Sequence, residues 1–205
     1  VKWLYGKKLI VRCGYELYAN QSAESIPFSR RGLLFALSSI SYRLADKIIL
    51  TSPSMASFVQ KKFKIPEQKI ITFQNNIDTN KFKCNKDFFE ASNRVLFIGR
   101  LVPEKNIEVL IRACGQASIG LGIVGEGPLK NHLRDVASEG GVDVEFHGMI
   151  PNQEIPKVIN HYRMFALISK YEGNPKTLLE AMSCSRAVIG TSVRGVKDII
   201  TQQEN

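Results

Sequence analysis

The stretch Phe165-Ala-Leu-Ile-Ser169-Lys-Tyr-Glu172-Gly-Asn-Pro175-Lys-Thr-Leu-Leu-Glu180-Ala-Met-Ser183 passes from a continuous apolar run, through a break, to a segment of helical period. An apolar run without alternation is what a strand covered on both faces requires. Gly173, Asn174 and Pro175 break it. Asn174 is placed to cap the helix, and Pro175 suits its first position. Strand, turn and helix in so short a span is the repeating unit of a parallel sheet covered by helices.

The same alternation extends in both directions. Upstream, strands are expected at Lys8–Val11, Lys47–Leu50, Lys69–Phe73, Val95–Gly99, Leu121–Gly125 and Val142–Phe146. Helices are expected at Arg31–Leu44, from a Ser54 cap to Phe63, and at Asn106–Ala117, Pro128–Ser138 and Gln153–His161. Downstream, Ala187–Gly190 reads as a strand and Val196–Ile200 as the start of a helix. Residues 75–93 are polar and weakly periodic, which marks a boundary. The reading is an α/β protein of two parallel-sheet units: 1–80, a linker at 81–94, and 95–205. The chain starts at Val1 and stops at Asn205 just after a strand, so both units are expected to be incomplete.

Composition narrows the function. Of 205 residues, 44% are hydrophobic and 23% charged, as in ordinary globular domains. The longest apolar candidate, Gly32–Ile40, falls short of the roughly 18–20 residues that cross a bilayer. No secretory signal is visible. Cys13, Cys84, Cys114 and Cys184 form no C-x-x-C pair, so four reduced thiols are expected rather than a zinc or redox site. The net charge is +9, and residues 1–94 carry all of it, with 16 Lys/Arg against seven Asp/Glu; residues 95–205 hold twelve of each. That asymmetry points to an anionic partner of the first part, or to a solvated basic face. Arg30, Arg31, Lys47, Lys61, Lys62 and Lys64 are the candidate patch. No aromatic-interleaved basic stretch accompanies the charge, which argues against nucleic acid.

In open parallel sheets, ligands bind at the carboxyl ends of strands. In the opening stretch that end holds Gly173, which admits close backbone approach, and a helix start whose free N–H groups suit phosphate. Lys176 adds charge, and Glu180 can accept two hydrogen bonds from ribose hydroxyls. Glu172 lies where a substrate would sit. A plain capped helix with two surface glutamates is the other reading. At Gly99-Arg-Leu-Val-Pro-Glu-Lys105 two cations follow a strand. Arg100 offers a planar fork and Lys105 a point charge, suited to a leaving diphosphate; two surface charges at a helix start are the other reading, and the stronger one for this segment taken alone. Gly125-Glu-Gly-Pro128 is a glycine turn with Pro expected at the first helical position. It is not a dinucleotide fingerprint, since Lys130 stands where the third glycine would fall. His132, His147 and His161 lack metal-ligand spacing, and no metal site is expected.

Together these segments resemble the retaining family-4 glycosyltransferases of the GT-B fold, two Rossmann-like units. Phe97–Ile107 resembles the family's GRL-x-x-EKG loop, Ile123–Leu129 its GxGP turn, and Glu172 to Glu180 its Glu-x7-Glu motif. Ala45–Ser52 and Asn75-Asn-Ile-Asp78 resemble ADxIIxxS and NGxD. Departures stand at Ser185-Arg186-Ala187, at Arg194-Gly195 with Asp198, and at Asn76.

The resemblance implies that Gly99, Arg100 and Lys105 meet the diphosphate of a UDP- or GDP-linked sugar. Glu180 would hold the ribose and Glu172 the donor sugar. Asn174, Pro175, Lys176, Thr177 and Leu178 would lie near sugar and phosphate, with Met149 and Ile150 near the base. It further implies transfer with retention, without metal or cofactor, to a glycan or lipid-linked acceptor. The expected location is cytoplasmic or peripheral at the cytoplasmic membrane face. A non-catalytic nucleotide-binding or interaction module on the same fold is the alternative.

Overall fold

A computed structural model describes residues 6–14, 28–85 and 92–201. The side chains of residues 28–31, and residues 86–91 of the expected linker, lie outside the described part. In chain order the elements are β1 (Ile10–Cys13), α1 (Phe28–Leu44), β2 (Lys47–Leu50), α2 (Pro53–Phe63) and β3 (Ile70–Thr72). Then come β4 (Ser92–Ile98), α3 (Ile107–Gln116), β5 (Gly120–Val124), α4 (Lys130–Glu139), β6 (Val144–Gly148) and α5 (Ile155–His161). The last are β7 (Tyr162–Leu167), α6 (Lys176–Ser183), β8 (Ala187–Gly190) and α7 (Arg194–Lys197). No helix among the described residues is long and apolar enough to cross a membrane.

The chain forms two units. One comprises Val1–Asn75 with Tyr171–Asn174 and Val193–Asn205; the other comprises Asn76–Lys170 with Pro175–Ser192. The first unit holds a parallel sheet of order β1-β2-β3. Its core gathers Ile48, Leu50, Met55, Val59, Phe63 and Ile65 under Tyr42 and Ala45. Phe63 stacks on Phe35 and meets the edge of Tyr42. The cap of α2 falls two residues before the expected Ser54. Pro53 takes the first turn, and Ser52 Oγ accepts from the Met55 N–H at 3.3 Å. Ser54 Oγ is released to donate to Asp198 at 2.6 Å.

The second unit holds five parallel strands in the order β6-β5-β4-β7-β8. Val95, Phe97, Leu121, Ile123 and Ala166 pack against Ile107, Leu110 and Ile111 of α3 and Leu133 and Val136 of α4. Two strand limits move from the sequence reading. β7 begins three residues early, because Tyr162 is buried while Arg163 beside it is exposed, and the charge hides the alternation. β6 begins two residues late and alternates between half-buried and exposed, as an edge strand does. Pro128 sits in a turn before α4 and not inside it. The reason is local: the Leu129 N–H is spent on the Leu101 carbonyl at 3.1 Å.

Lys81–Asn85, read as the start of the linker, is tied to the second unit. Asn160 is buried; its Oδ1 accepts from the Asn85 N–H at 2.8 Å and its Nδ2 donates to the Lys83 carbonyl at 3.0 Å. Ser183 Oγ donates to the Phe82 carbonyl.

Candidate functional site

In the five-stranded sheet the chain enters at β4, runs outward to β6, then returns to the other side of β4 for β7 and β8. The order reverses at β4, and the carboxyl ends around such a reversal form the natural ligand crevice. Backbone hydrogen bonds bind the neighbouring loops together there. The Gly99 N–H donates to Val124 O at 3.0 Å, Gly125 to Gly148 O at 2.8 Å, and Leu101 to Glu126 O at 2.9 Å. Gly125 has φ +138, and a Cβ on it would lie 1.9 Å from the Gly99 carbonyl oxygen. Only glycine lets these two strand ends approach so closely.

Those loops enclose a pocket of about 340 Å³. Ile98, Gly99 and Arg100 line it from β4, and Val124, Gly125 and Glu126 from β5. Met149, Ile150, Asn152 and Ile155 close it after β6, and Thr177 and Glu180 after β7, from α6. Of the residues expected at a donor site, the structure brings Gly99, Arg100, Met149, Ile150, Thr177 and Glu180 to this one pocket. Glu126, Asn152 and Ile155 were not foreseen. The glycine pair around Glu126 was visible in the sequence but read only as a turn.

Glu180 is 8% exposed, which removes the plain surface-glutamate reading of this position. Burial raises its carboxyl pKa above the ordinary 4.5, and Lys176 and Lys81 pull it back. Among the described residues, none donates a hydrogen bond to that carboxylate. A carboxylate on a mostly buried side chain, its oxygens reaching the pocket without a donor from the described residues, is poised for a ligand's hydroxyls. Arg100 is the opposite case. Its side chain is 77% exposed, and Glu104 stands 3.9 Å away, a contact worth little in water. Lys105 Cε passes 3.9 Å from the position a Gly99 Cβ would take, so the second cation folds back over the same strand end.

The remaining expected residues are elsewhere. Pro175, not Asn174, is the N-cap of α6, and Lys176 is its first residue. Asn174 is held away from the capping position: its Oδ1 accepts from the Asn75 N–H at 2.8 Å and its carbonyl from Asn75 Nδ2 at 2.6 Å. Leu178 is fully buried and belongs to the core. Lys105, Pro175, Lys176 and Leu178 are not among the pocket's lining residues.

Glu172 and Asn174 line a second pocket, of about 380 Å³, in the first unit. Arg12, Gly14, Thr51, Asn75 and Gly173 complete it. A Cβ on Gly173 would lie 1.8 Å from the Gly14 carbonyl oxygen, to which Thr51 Oγ1 also donates at 2.8 Å. Thr51 and Asn75 stand within the Ala45–Ser52 and Asn75–Asp78 motifs, but neither motif points to Glu172, and Arg12 leaves no signal, because only the fold brings them together.

Of the basic patch, Lys61 and Lys62 share one pocket wall, Lys47 Nζ donates to the Gln68 carbonyl, and Lys64 stands past the end of α2 with φ 53. The side chains of Arg30 and Arg31 are outside the described part. His132 pairs with Glu108, and His147 with the Tyr162 hydroxyl at 2.7 Å. No group of three or more His, Cys, Asp or Glu among the described residues is arranged to hold a metal.

A family model described as Glycosyl transferases group 1 matches residues 77–205. An uncharacterised glycosyltransferase of Methanocaldococcus jannaschii is 28% identical over 214 residues, covering 96% of this chain and 52% of that protein. An N-acetylgalactosamine-N,N'-diacetylbacillosaminyl-diphospho-undecaprenol 4-alpha-N-acetylgalactosaminyltransferase of Campylobacter jejuni is 28% identical over 173 residues, covering 82% and 47%. The chain thus spans about half the length of these relatives. Among solved structures, Anabaena HepE in complex with UDP and glucose superposes with a TM-score of 0.81 at 17% identity, over 98% of this chain and 57% of that one. Sucrose-phosphate synthase of Thermosynechococcus elongatus gives 0.78 at 18% identity, over 92% and 51%. The likeness to these two is one of fold.

Proposed function

The chain belongs to the glycosyl transferases group 1 family and has its GT-B type of α/β fold, and from that premise we propose that it carries the donor site of a retaining, family-4 hexosyltransferase. The donor is a sugar linked to UDP or GDP. The acceptor is a glycan or a lipid-linked saccharide. The observation that carries the reading is the pocket at the reversal of the five-stranded sheet, where a mostly buried Glu180, given no hydrogen bond by the described residues, shares one cavity with Arg100.

The chemistry follows from the charges. Breaking the bond between sugar and diphosphate leaves negative charge on the leaving oxygens. Arg100 and Lys105 stabilise that charge as it grows, which lowers the barrier without a metal. Glu180 accepts the ribose hydroxyls and fixes the nucleotide. The backbone around Met149 and Ile150 meets the base. The leaving phosphate receives the acceptor's proton on the same face that the new bond forms, so configuration is kept. The Campylobacter relative's name specifies a diphospho-undecaprenol acceptor. The excess of basic residues over 1–94 supports a similar acceptor here, with peripheral contact at the cytoplasmic membrane face.

Titration of UDP, GDP and their sugars by calorimetry, paired with a transfer assay on the full-length enzyme, tests the reading. Arg100→Ala and Glu180→Ala should each lower transfer roughly tenfold or more, equivalent to ~1.4 kcal/mol of transition-state binding. Near-normal kinetics in both variants would remove these residues from the site. Nucleotide binding without transfer would instead favour the non-catalytic module.

A further inference from the structure

Helix α2 presents two faces of different character. Met55, Val59 and Phe63 are buried. Ser54, Ser57, Phe58, Lys61 and Lys62 recur at helical spacing on another face. With Arg194 of α7 they line a pocket of about 540 Å³, and all six belong to the first unit. No acidic side chain is part of that lining. Among the described residues, no carboxylate pairs with Lys61, Lys62 or Arg194. The nearby Asp198 is engaged by Ser54 Oγ at 2.6 Å.

Among the described residues these cations are positioned without a salt bridge, while the carboxylate of Asp198 stands beside Ser54. The Arg194 guanidinium lies 4.4 Å over the Phe58 ring, and the Lys62 ammonium 5.8 Å over the Phe35 ring. An aromatic face orients a cation while leaving its charge in place. Lys61 and Lys62 in the last turn of α2 also suit the helix dipole. That account does not reach Arg194, which arrives from a segment over 130 residues away in sequence. The lining offers ammonium and guanidinium donors and the Ser57 hydroxyl, that of Ser54 being spent on Asp198. Such a set matches an anion with three or more acceptor oxygens better than a carboxylate with two. The volume exceeds what one phosphate fills, so it admits a phosphate ester or a diphosphate with part of the group it bears.

We propose that the pocket between α2 and α7 is a phosphoryl-binding site, built from residues that take no part in the donor pocket. The phosphoryl group can belong to a membrane lipid headgroup or to a soluble ester, and the test separates the two. Inorganic pyrophosphate is titrated into the 205-residue chain while backbone amide shifts are followed. Saturable shifts are expected at Ser57, Lys61, Lys62 and Arg194, distinct from those at Gly99 and Arg100. Lys61→Ser/Lys62→Ser and, separately, Arg194→Gln should weaken the first set about tenfold or more, as loss of charge-assisted hydrogen bonds implies. The second set and the affinity for UDP or GDP should stay unchanged.

In parallel, flotation is measured with vesicles of phosphatidylglycerol in phosphatidylcholine and with phosphatidylcholine alone. Loss of anionic-vesicle binding in the double variant identifies a lipid headgroup as the source. Unchanged flotation with weakened pyrophosphate binding identifies a soluble ester. Absence of saturable shifts on this face, or wild-type titration by both variants, overturns the proposal and leaves the donor reading intact.

Discussion

Glu180 carries the clearest electrostatic signature of the second unit. Its carboxyl pKa is raised by burial, the effect of Lys176 and Lys81 being smaller and opposite. An acid whose folded pKa is raised binds its proton more tightly in the folded chain than in the unfolded one. Its contribution to stability is therefore full below the unfolded value, near 4.5, and is lost as pH rises through the folded value. Glu180→Gln keeps a neutral side chain throughout. The ligand-free variant should unfold at a temperature close to wild type at acid pH and at a higher one at pH 7, as thermal melts across that range would read. Nucleotide binding has the opposite sign, because ribose hydroxyls need the ionised acceptor. Wild-type affinity should fall as pH drops through the raised pKa, while Glu180→Gln binds weakly and without that dependence. A variant that is no more stable at pH 7 and still titrates would mean that another group governs the pocket.

At the scale of elements, two backbone features decide local shape. The first is the joint between the β4 and β5 ends. Gly125→Ala adds a methyl 1.9 Å from the Gly99 carbonyl oxygen at a φ of +138, so the two loops must part. Overpacking and strain of this kind cost about 1–3 kcal/mol or more. The variant should melt lower and lose nucleotide affinity, whereas the same change at open, exposed Gly141 should affect affinity little. The second feature is the end of α6. The Arg186 N–H donates to Ala181 O and the Ser185 N–H to Met182 O, with Ser185 at φ 58. This is a Schellman motif with serine in the position glycine favours. The departure seen in the sequence at Ser185 thus leaves the turn intact and carries a left-handed strain of about 1 kcal/mol. Ser185→Gly should raise the unfolding midpoint by the corresponding few degrees in denaturation, and a lower midpoint would contradict the assignment.

The whole molecule separates what patterning can encode from what contact alone decides. Continuous runs such as Leu121–Val124 and Phe165–Leu167 announce buried parallel strands, because they are too short for a buried helix and recur between segments of helical period. Arg100, directly after a buried strand, lies on the wall of the pocket at that strand's end, whereas Lys105, five residues further on, does not line it. The burial of Glu180 was not legible, since helix spacing fixes a face but not what covers it. Nor was the grouping of Arg12, Thr51 and Asn75 with Glu172, which spans 160 residues of sequence. The division of the chain bears on one last prediction. Every residue lining the candidate donor pocket falls between Ile98 and Glu180 and within the second unit. The five-stranded sheet and the core formed by Val95, Phe97, Leu121, Ile123 and Leu133 also lie there. The Asn160 and Ser183 hydrogen bonds to Phe82, Lys83 and Asn85 set the start of a self-sufficient piece near Asn76. A fragment of residues 76–205 should therefore fold and bind UDP or GDP within about tenfold of the whole chain, a difference below ~1.4 kcal/mol. Calorimetric titration of the two proteins side by side checks this, and a larger loss in a folded fragment would place part of the nucleotide site in the first 75 residues.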